Sequence, residues 1–150
     1  MAERTLFGGA LSAVLPPGAA DVSQIRQIPD NQEVFTHSQT DQSLIIEILE
    51  MVQEPDESAI KCSSAWYVLG QQNIAKYNEA AKNQINIHMG LFRLPDFTTD
   101  ILITFNDPVI IDPASSSNQP VPVSADRWMV EDFKQVLCSM KITDPSIFGV

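Results

Sequence analysis

Apolar and polar positions alternate most strictly between residues 85 and 106. Ile85, Ile87 and Met89 interleave with Asn86 and His88, and the run continues through Leu91-Phe92-Arg93-Leu94. After Pro95-Asp96 it returns as Asp100-Ile101-Leu102-Ile103-Thr104-Phe105-Asn106. Period-two alternation sends successive side chains to opposite faces, so both runs predict strands, and the short connection makes them an antiparallel pair. Residues 10–15, 32–36 and 65–69 read as further strands, the last extendable through Lys76. Gly8-Gly9 opens the first, and Pro16-Pro17-Gly18 closes it by removing donors and turning the chain. A helical period appears late: Met129, Phe133, Val136, Leu137 and Met140 share one stripe, which predicts a helix over 124–140 with Ser124 as its N-cap.

Residues 43–52 fit both periods. Ile45, Ile48, Leu49 and Val52 form a helical stripe, while three isoleucines in a short apolar run suit a buried strand. A helix would gather Glu47, Glu50 and Glu54 on one face; a strand would send Glu47 and Glu50 to opposite sides. Asp21-Val22-Ser23 caps a brief turn, Pro29-Asp30-Asn31 marks another, 54–58 is a polar connection able to start a short helix, and 112–123 is a loop. Strands dominate, with one strong helix near the end, so the pattern predicts an antiparallel sheet covered by helices.

Composition bounds this picture. A chain of 150 residues with 44% hydrophobic content fits one domain with its own core. A basic segment followed by an apolar one is not seen at the start, and no apolar run approaches the roughly 20 residues of a membrane span. Cys62 and Cys138 match no zinc or redox spacing and read as reduced thiols, Cys138 packing near the helical stripe. The expectation is a soluble intracellular protein that is not membrane-embedded.

Charge changes the picture more. Residues 27–60 carry eight acids (Asp30, Glu33, Asp41, Glu47, Glu50, Glu54, Asp56 and Glu57) and no lysine or arginine. Ten acids against two bases in residues 1–60 give −8 of the net −10. A one-sign surface repels nucleic acid and anionic membrane and favours a basic protein face. Pro29-Asp30-Asn31-Gln32-Glu33-Val34-Phe35 sets two carboxylates and two amides on a turn-to-strand corner. Such a corner offers acceptors for lysine or arginine, with Val34 or Phe35 as apolar contact.

Catalytic chemistry is sparse. The chain has no phosphate-cradling loop, no Gly-x-Ser-x-Gly, no His-Glu-x-x-His and no EF-hand spacing, so neither metal nor cofactor is expected. His37 reads as an exposed loop residue. His88 reads as a satisfied or surface strand residue that could pair with Asp96 or Asp100, without a nucleophile beside it. A binding protein, not an enzyme, is the expectation.

Phe7-Gly8-Gly9-Ala10, Val14-Leu15-Pro16-Pro17-Gly18, Asp21-Val22-Ser23 and the Pro29–Phe35 block occur in order. Asp41-Gln42-Ser43-Leu44-Ile45, Leu91-Phe92-Arg93-Leu94, Thr99-Asp100 and Asp144-Pro145-Ser146-Ile147-Phe148-Gly149 follow. Together they resemble the Ran guanine nucleotide release factor family, the Mog-type Ran-binding proteins. The resemblance implies an α+β fold: an α/β/α sandwich with a central, mainly antiparallel sheet flanked by helices, similar to PsbP. On that analogy 43–52 is a strand. It further implies binding to the small GTPase Ran and release of its nucleotide in nucleocytoplasmic transport, in nucleus and cytoplasm. For vertebrate members it implies help in bringing a cardiac voltage-gated sodium channel to the cell surface. Asp21, Asp30, Glu33, Asp41 and Glu50 carry over as partner-binding residues, with Asn31 and Gln32 in support. One departure stands out: family members carry a longer segment between Glu50 and Trp66, where this chain keeps only 51–65. Losing central strands unpairs ladder groups and exposes a sheet edge. Two alternatives follow, a channel-trafficking adaptor working without a GTPase and an inactive shortened form.

Overall fold

The computed structural model describes residues 1–51, 64–74, 83–110 and 127–149. In chain order the elements are β1 (Ala2–Leu6), β2 (Leu11–Leu15), β3 (Ala19–Asp21), β4 (Gln32–His37), β5 (Ser43–Glu50), β6 (Ser64–Ile74), β7 (Asn83–Leu94), β8 (Thr99–Ile110), α1 (Val130–Ser139) and β9 (Lys141–Ile142). They form a six-stranded antiparallel sheet ordered β3-β4-β5-β8-β7-β6 and a three-stranded sheet ordered β1-β2-β9. The fold is α+β.

The alternating run of 85–106 becomes the β7–β8 hairpin, turned by a 3-10 segment, Pro95–Phe97. Of the segment 43–52, residues Ser43–Glu50 form a strand, β5, because Leu44 and Ile46 face the core, while Val52 lies outside the described residues. Leu44 and Ile46 are buried there and pair with the buried Phe105 and Ile103 of β8. Phe35 joins them from β4, opposite Leu44. On this face of the large sheet lie α1, through Phe133 and Val136, and β1–β2, through Leu6, Leu11 and Leu15; all belong to one hydrophobic cluster. The Val14 N–H donates to Ser139 Oγ at 2.8 Å, fastening β2 to the end of α1.

Several expectations need correction. The helix does not begin at Ser124, which lies outside the described residues, because residues 127–129 are non-helical and α1 starts at Val130. The reason is tertiary: the Trp128 backbone is held by the side chain of Gln42, so it cannot enter a helical ladder. Asp132 then accepts the Met129 N–H at 2.7 Å and closes the helix start. Met129 drops out of the apolar stripe and is 57% exposed. Cys138 is an exposed thiol, not a packing residue. β1, β3 and β9 were not foreseen. The 54–58 connection and the 112–123 loop lie outside the described residues, as does Cys62. No helix among the described residues is long and apolar enough to cross a membrane.

Candidate functional site

The acid-rich segment folds as the β4–β5 hairpin. Its ladder pairs Gln32 with Glu47, Glu33 with Ile46 and Phe35 with Leu44. Residues just before β4 therefore lie beside the far end of β5. The Ile48 N–H donates to the Asn31 carbonyl at 2.9 Å, and Asn31 Nδ2 donates to the Ile48 carbonyl at 3.2 Å. Gln32 Nε2 donates to Glu47 Oε2 at 3.0 Å. These bonds fix the corner, and Asp30, Asn31 and Glu50 stand exposed at it.

Glu33 has a different job locally. Its Oε1 accepts the Phe7 N–H at 2.7 Å. Phe7 opens a turn in which Phe7, Gly8 and Gly9 have φ of 51°, 68° and 97°. Glycines adopt that region freely, but a phenylalanine there is strained. The Glu33 carboxylate satisfies the N–H that this turn leaves without a ladder partner, so Glu33 couples the acidic hairpin to the β1–β2 turn.

The remaining carried-over acids separate. Asp21 ends β3 opposite Phe35, and its carboxylate accepts the Ser23 N–H at 2.9 Å as the cap of a 3-10 turn, as the Asp21-Val22-Ser23 reading predicts. Asp41 is exposed in the β4–β5 turn, at the opposite end of the hairpin. At about 3.3 Å per residue, the five steps from Gln32 to His37 place it roughly 17 Å from the Asp30 corner. The structure thus gathers Asp30, Asn31, Gln32, Glu33 and Glu50 at one end, leaves Asp21 one strand away, and sets Asp41 apart. Glu47 joins the corner as well, through Gln32.

The apolar contact needs revision. Val34 and Phe35 are core residues, 6% and 2% exposed, with Phe35 also under the Arg4 guanidinium at 5.1 Å. They cannot touch a partner. Ile25 can: it is 81% exposed just after the Asp21 cap. A lone isoleucine in a loop gives no periodic signal, which is why the sequence pattern missed it.

Both histidines are buried. His37 is the last residue of β4, not an exposed loop residue. Its ring centroid lies 5.0 Å from that of Trp128, and its Nδ1 accepts the Gln39 N–H at 2.9 Å. A shallow cleft of about 240 Å³ beside it is lined by Pro17, Gly18, His37, Ser38 and Gln39. His88 stacks on Phe105 with centroids 5.3 Å apart, and burial lowers its pKa, opposed by Asp107. Asp100, its suggested acid–base partner, is instead gripped by Arg93, both pairs of atoms at 3.0 Å. Among the described residues no group of three or more histidine, cysteine or acidic side chains could hold a metal.

A profile for the family described as Ran-interacting Mog1 protein matches residues 4–64 and 57–108. The chain is 47% identical over 183 residues to the Ran guanine nucleotide release factor of Danio rerio, an alignment covering 98% of this chain and all of that protein. It is 38% identical over 178 residues to the protein of the same name from Homo sapiens, covering 96% and 95%. In a chain of 150 residues, alignments of that length contain gaps, and the two profile matches overlap over 57–64. The crystal structure of the Saccharomyces cerevisiae Ran-binding protein Mog1p superposes with a TM-score of 0.65 at 23% identity, covering 98% of this chain and 97% of that one. A point mutant of protein Mog1 superposes equally well. These two structures bear on the fold.

Proposed function

This chain belongs to the Ran-interacting Mog1 protein family, and on that premise we propose that it binds the small GTPase Ran and promotes release of its guanine nucleotide, in the nucleus and cytoplasm. One observation within the molecule carries the reading: a hairpin free of lysine and arginine presents exposed Asp30, Asn31 and Glu50 at one rigid corner, with exposed Ile25 on the neighbouring segment. Asp21, Glu33 and Gln32 support that corner, and Asp41 forms an outlying contact.

No bond is made or broken in such a process. A protein that binds the empty GTPase more tightly than the loaded one must, by linkage, weaken nucleotide binding by the same factor. Exposed carboxylates steer a cationic face into place, and the aliphatic Ile25 adds the desolvated contact that slows separation. We read 1–150 as one domain of this family with a shortened 51–65 segment, a reading supported by the family profile matching in two pieces that overlap over 57–64. Aid to surface trafficking of a voltage-gated sodium channel, which the resemblance implies for vertebrate members, is proposed as a separate role, and the inactive-isoform alternative is decided by the same assay.

The test is stopped-flow release of a fluorescent guanine nucleotide from Ran. Asp30 and Glu50 are exposed, so Asp30→Lys with Glu50→Lys should melt like the parent. Reversing two rim charges should cut the association rate about tenfold at low salt and flatten its salt dependence. A folded double variant that releases nucleotide as fast as the parent refutes the assignment of this corner. A folded parent that leaves release unchanged refutes the activity itself.

A further inference from the structure

The six-stranded sheet ends on two unlike edges. At one end β3 is three residues long and runs directly into a 3-10 turn. At the other, β6 spans eleven residues, Ser64–Ile74, and pairs with β7 in unbroken register from Ser64↔Arg93 to Ile74↔Asn83. Among the described residues nothing pairs with its outer side. A strand in the middle of a sheet satisfies both rows of its backbone groups; an edge strand leaves one row of N–H and C=O groups open.

Edges are ordinarily blunted by shortness, charge, proline or a bulge. β3 and β9 are short, with three and two residues, and β1 carries Glu3 and Arg4. β6 has none of these devices. Its sequence, Ser-Ala-Trp-Tyr-Val-Leu-Gly-Gln-Gln-Asn-Ile, contains no charge and no proline, and its Trp66, Tyr67 and Val68 have high strand propensity. Leu69 in its middle is 56% exposed. The two ranges matched by the family profile, 4–64 and 57–108, overlap over 57–64, which runs up to the first residue of this strand.

We propose that the outer edge of β6 is a self-association site, at which two copies of this chain pair β6 to β6 antiparallel and join their sheets across a two-fold axis. A second copy fits better than any charged partner for three reasons. An antiparallel pairing of identical strands is self-complementary, so each open donor row meets the same row of its twin. The edge is neutral, while the charge that would drive copies apart is concentrated in residues 1–60. The acidic hairpin lies on the far side of β8 and β7: β5 is three strands from β6 and β4 is four, which puts it roughly 14–19 Å away at about 4.8 Å per strand. Pairing through β6 therefore leaves the Asp30 corner open, and the inference stands whether or not that corner binds a GTPase. Because the opposite edge is only three residues long, association closes at two copies and does not grow.

Sedimentation equilibrium of the purified full chain tests this. The mass should rise from 16.6 kDa toward twice that value with concentration and stop there. Leu69→Lys places a charge on an exposed side chain of the edge. Gly70→Lys does the same from the other face, where a Cβ meets nothing closer than the Ile87 carbonyl at 4.0 Å. Either should return the mass to 16.6 kDa with an unchanged far-ultraviolet spectrum, whereas Asp30→Lys with Glu50→Lys should not. Amide exchange of 64–74, which needs no variant, should slow as concentration rises. The proposal is overturned by a folded parent that stays at 16.6 kDa throughout, by growth beyond two copies, or by lysine variants that associate like the parent.

Discussion

Gln42 offers the most demanding test of how the hairpin is held. It is 1% exposed in the turn between β4 and β5. A glutamine amide has two acceptor sites and two donors, and here all four are used. Oε1 accepts the Trp128 N–H at 2.9 Å and the Thr40 hydroxyl at 3.0 Å; Nε2 donates to the Trp128 carbonyl at 2.7 Å and to Asp107 Oδ1 at 3.0 Å. Asp107 also pairs with Arg127, so the clamp binds the segment before α1 to both β5 and β8. Gln42→Leu keeps the bulk and leaves the Trp128 N–H and C=O buried without partners, at about 1–3 kcal/mol each. Some rearrangement offsets part of this, and the expected loss is about 3–5 kcal/mol. With a urea slope of about 2 kcal/mol/M, the unfolding midpoint should fall by roughly 2 M at unchanged slope. Gln42→Glu sharpens the test. It keeps the shape and the acceptor oxygen but puts a second oxygen where the donor nitrogen faced Asp107 and the Trp128 carbonyl, so it should cost as much near neutrality and regain part of the loss in acid, when the new carboxyl protonates. If Gln42→Leu shifts the midpoint by less than the error, or Gln42→Glu is neutral at every pH, the four-bond account is wrong.

Two further expectations rest on α1 and the strands beneath it. Burial, opposed by Asp107, holds the His88 pKa below its ordinary 6.5. The unfolded chain then binds a proton that the folded protein refuses, so stability is full above about 6.5, falls as pH drops through the interval down to the lowered folded value, and levels off below it. Urea midpoints of the parent across that interval should slope more steeply than those of His88→Gln; parallel curves would sink the point. A Cβ at Gly90 of β7 would lie 2.5 Å from Leu137 Cδ2 of α1. Gly90→Ala should therefore cost about 1–3 kcal/mol, and combining it with Leu137→Ala should cost about 1 kcal/mol less than the sum, since the clash is gone. Strict additivity in a double-mutant cycle would contradict the geometry.

What could be read from the sequence followed burial. The 85–106 hairpin was legible because one of its faces is core: Ile101, Ile103 and Phe105 alternate with half-exposed neighbours. β1 was not, because of its five residues only Leu6 is buried and the rest carry no pattern. β9 has two exposed residues and exists only through its pairing with β2. Ser124 looked like a helix start because capping is local, whereas Gln42 reaches Trp128 from 86 positions away. At the acidic corner the density of carboxylates was plain from counting. Which of them are already engaged was not: Glu33 is tied to Phe7 across 26 positions, and Gln32 to Glu47 across 15. Val34 and Phe35 looked accessible beside those acids, but Leu44 and the layer formed by β1, β2 and α1 bury Phe35, and only the completed sheet reveals this.

The third strand of the small sheet sets an order of events during synthesis. Leu11 and Ser12 find their partners in Ile142 and Lys141, and the Ala10 carbonyl accepts the N–H groups of Thr143 and Asp144 at 2.8 and 3.0 Å. At about 5–20 residues per second, the ribosome needs roughly 7–26 seconds between making one side of this seam and the other. Through that interval the open flank of β2 waits, a vulnerability that a chaperone or a protease meets before any partner does.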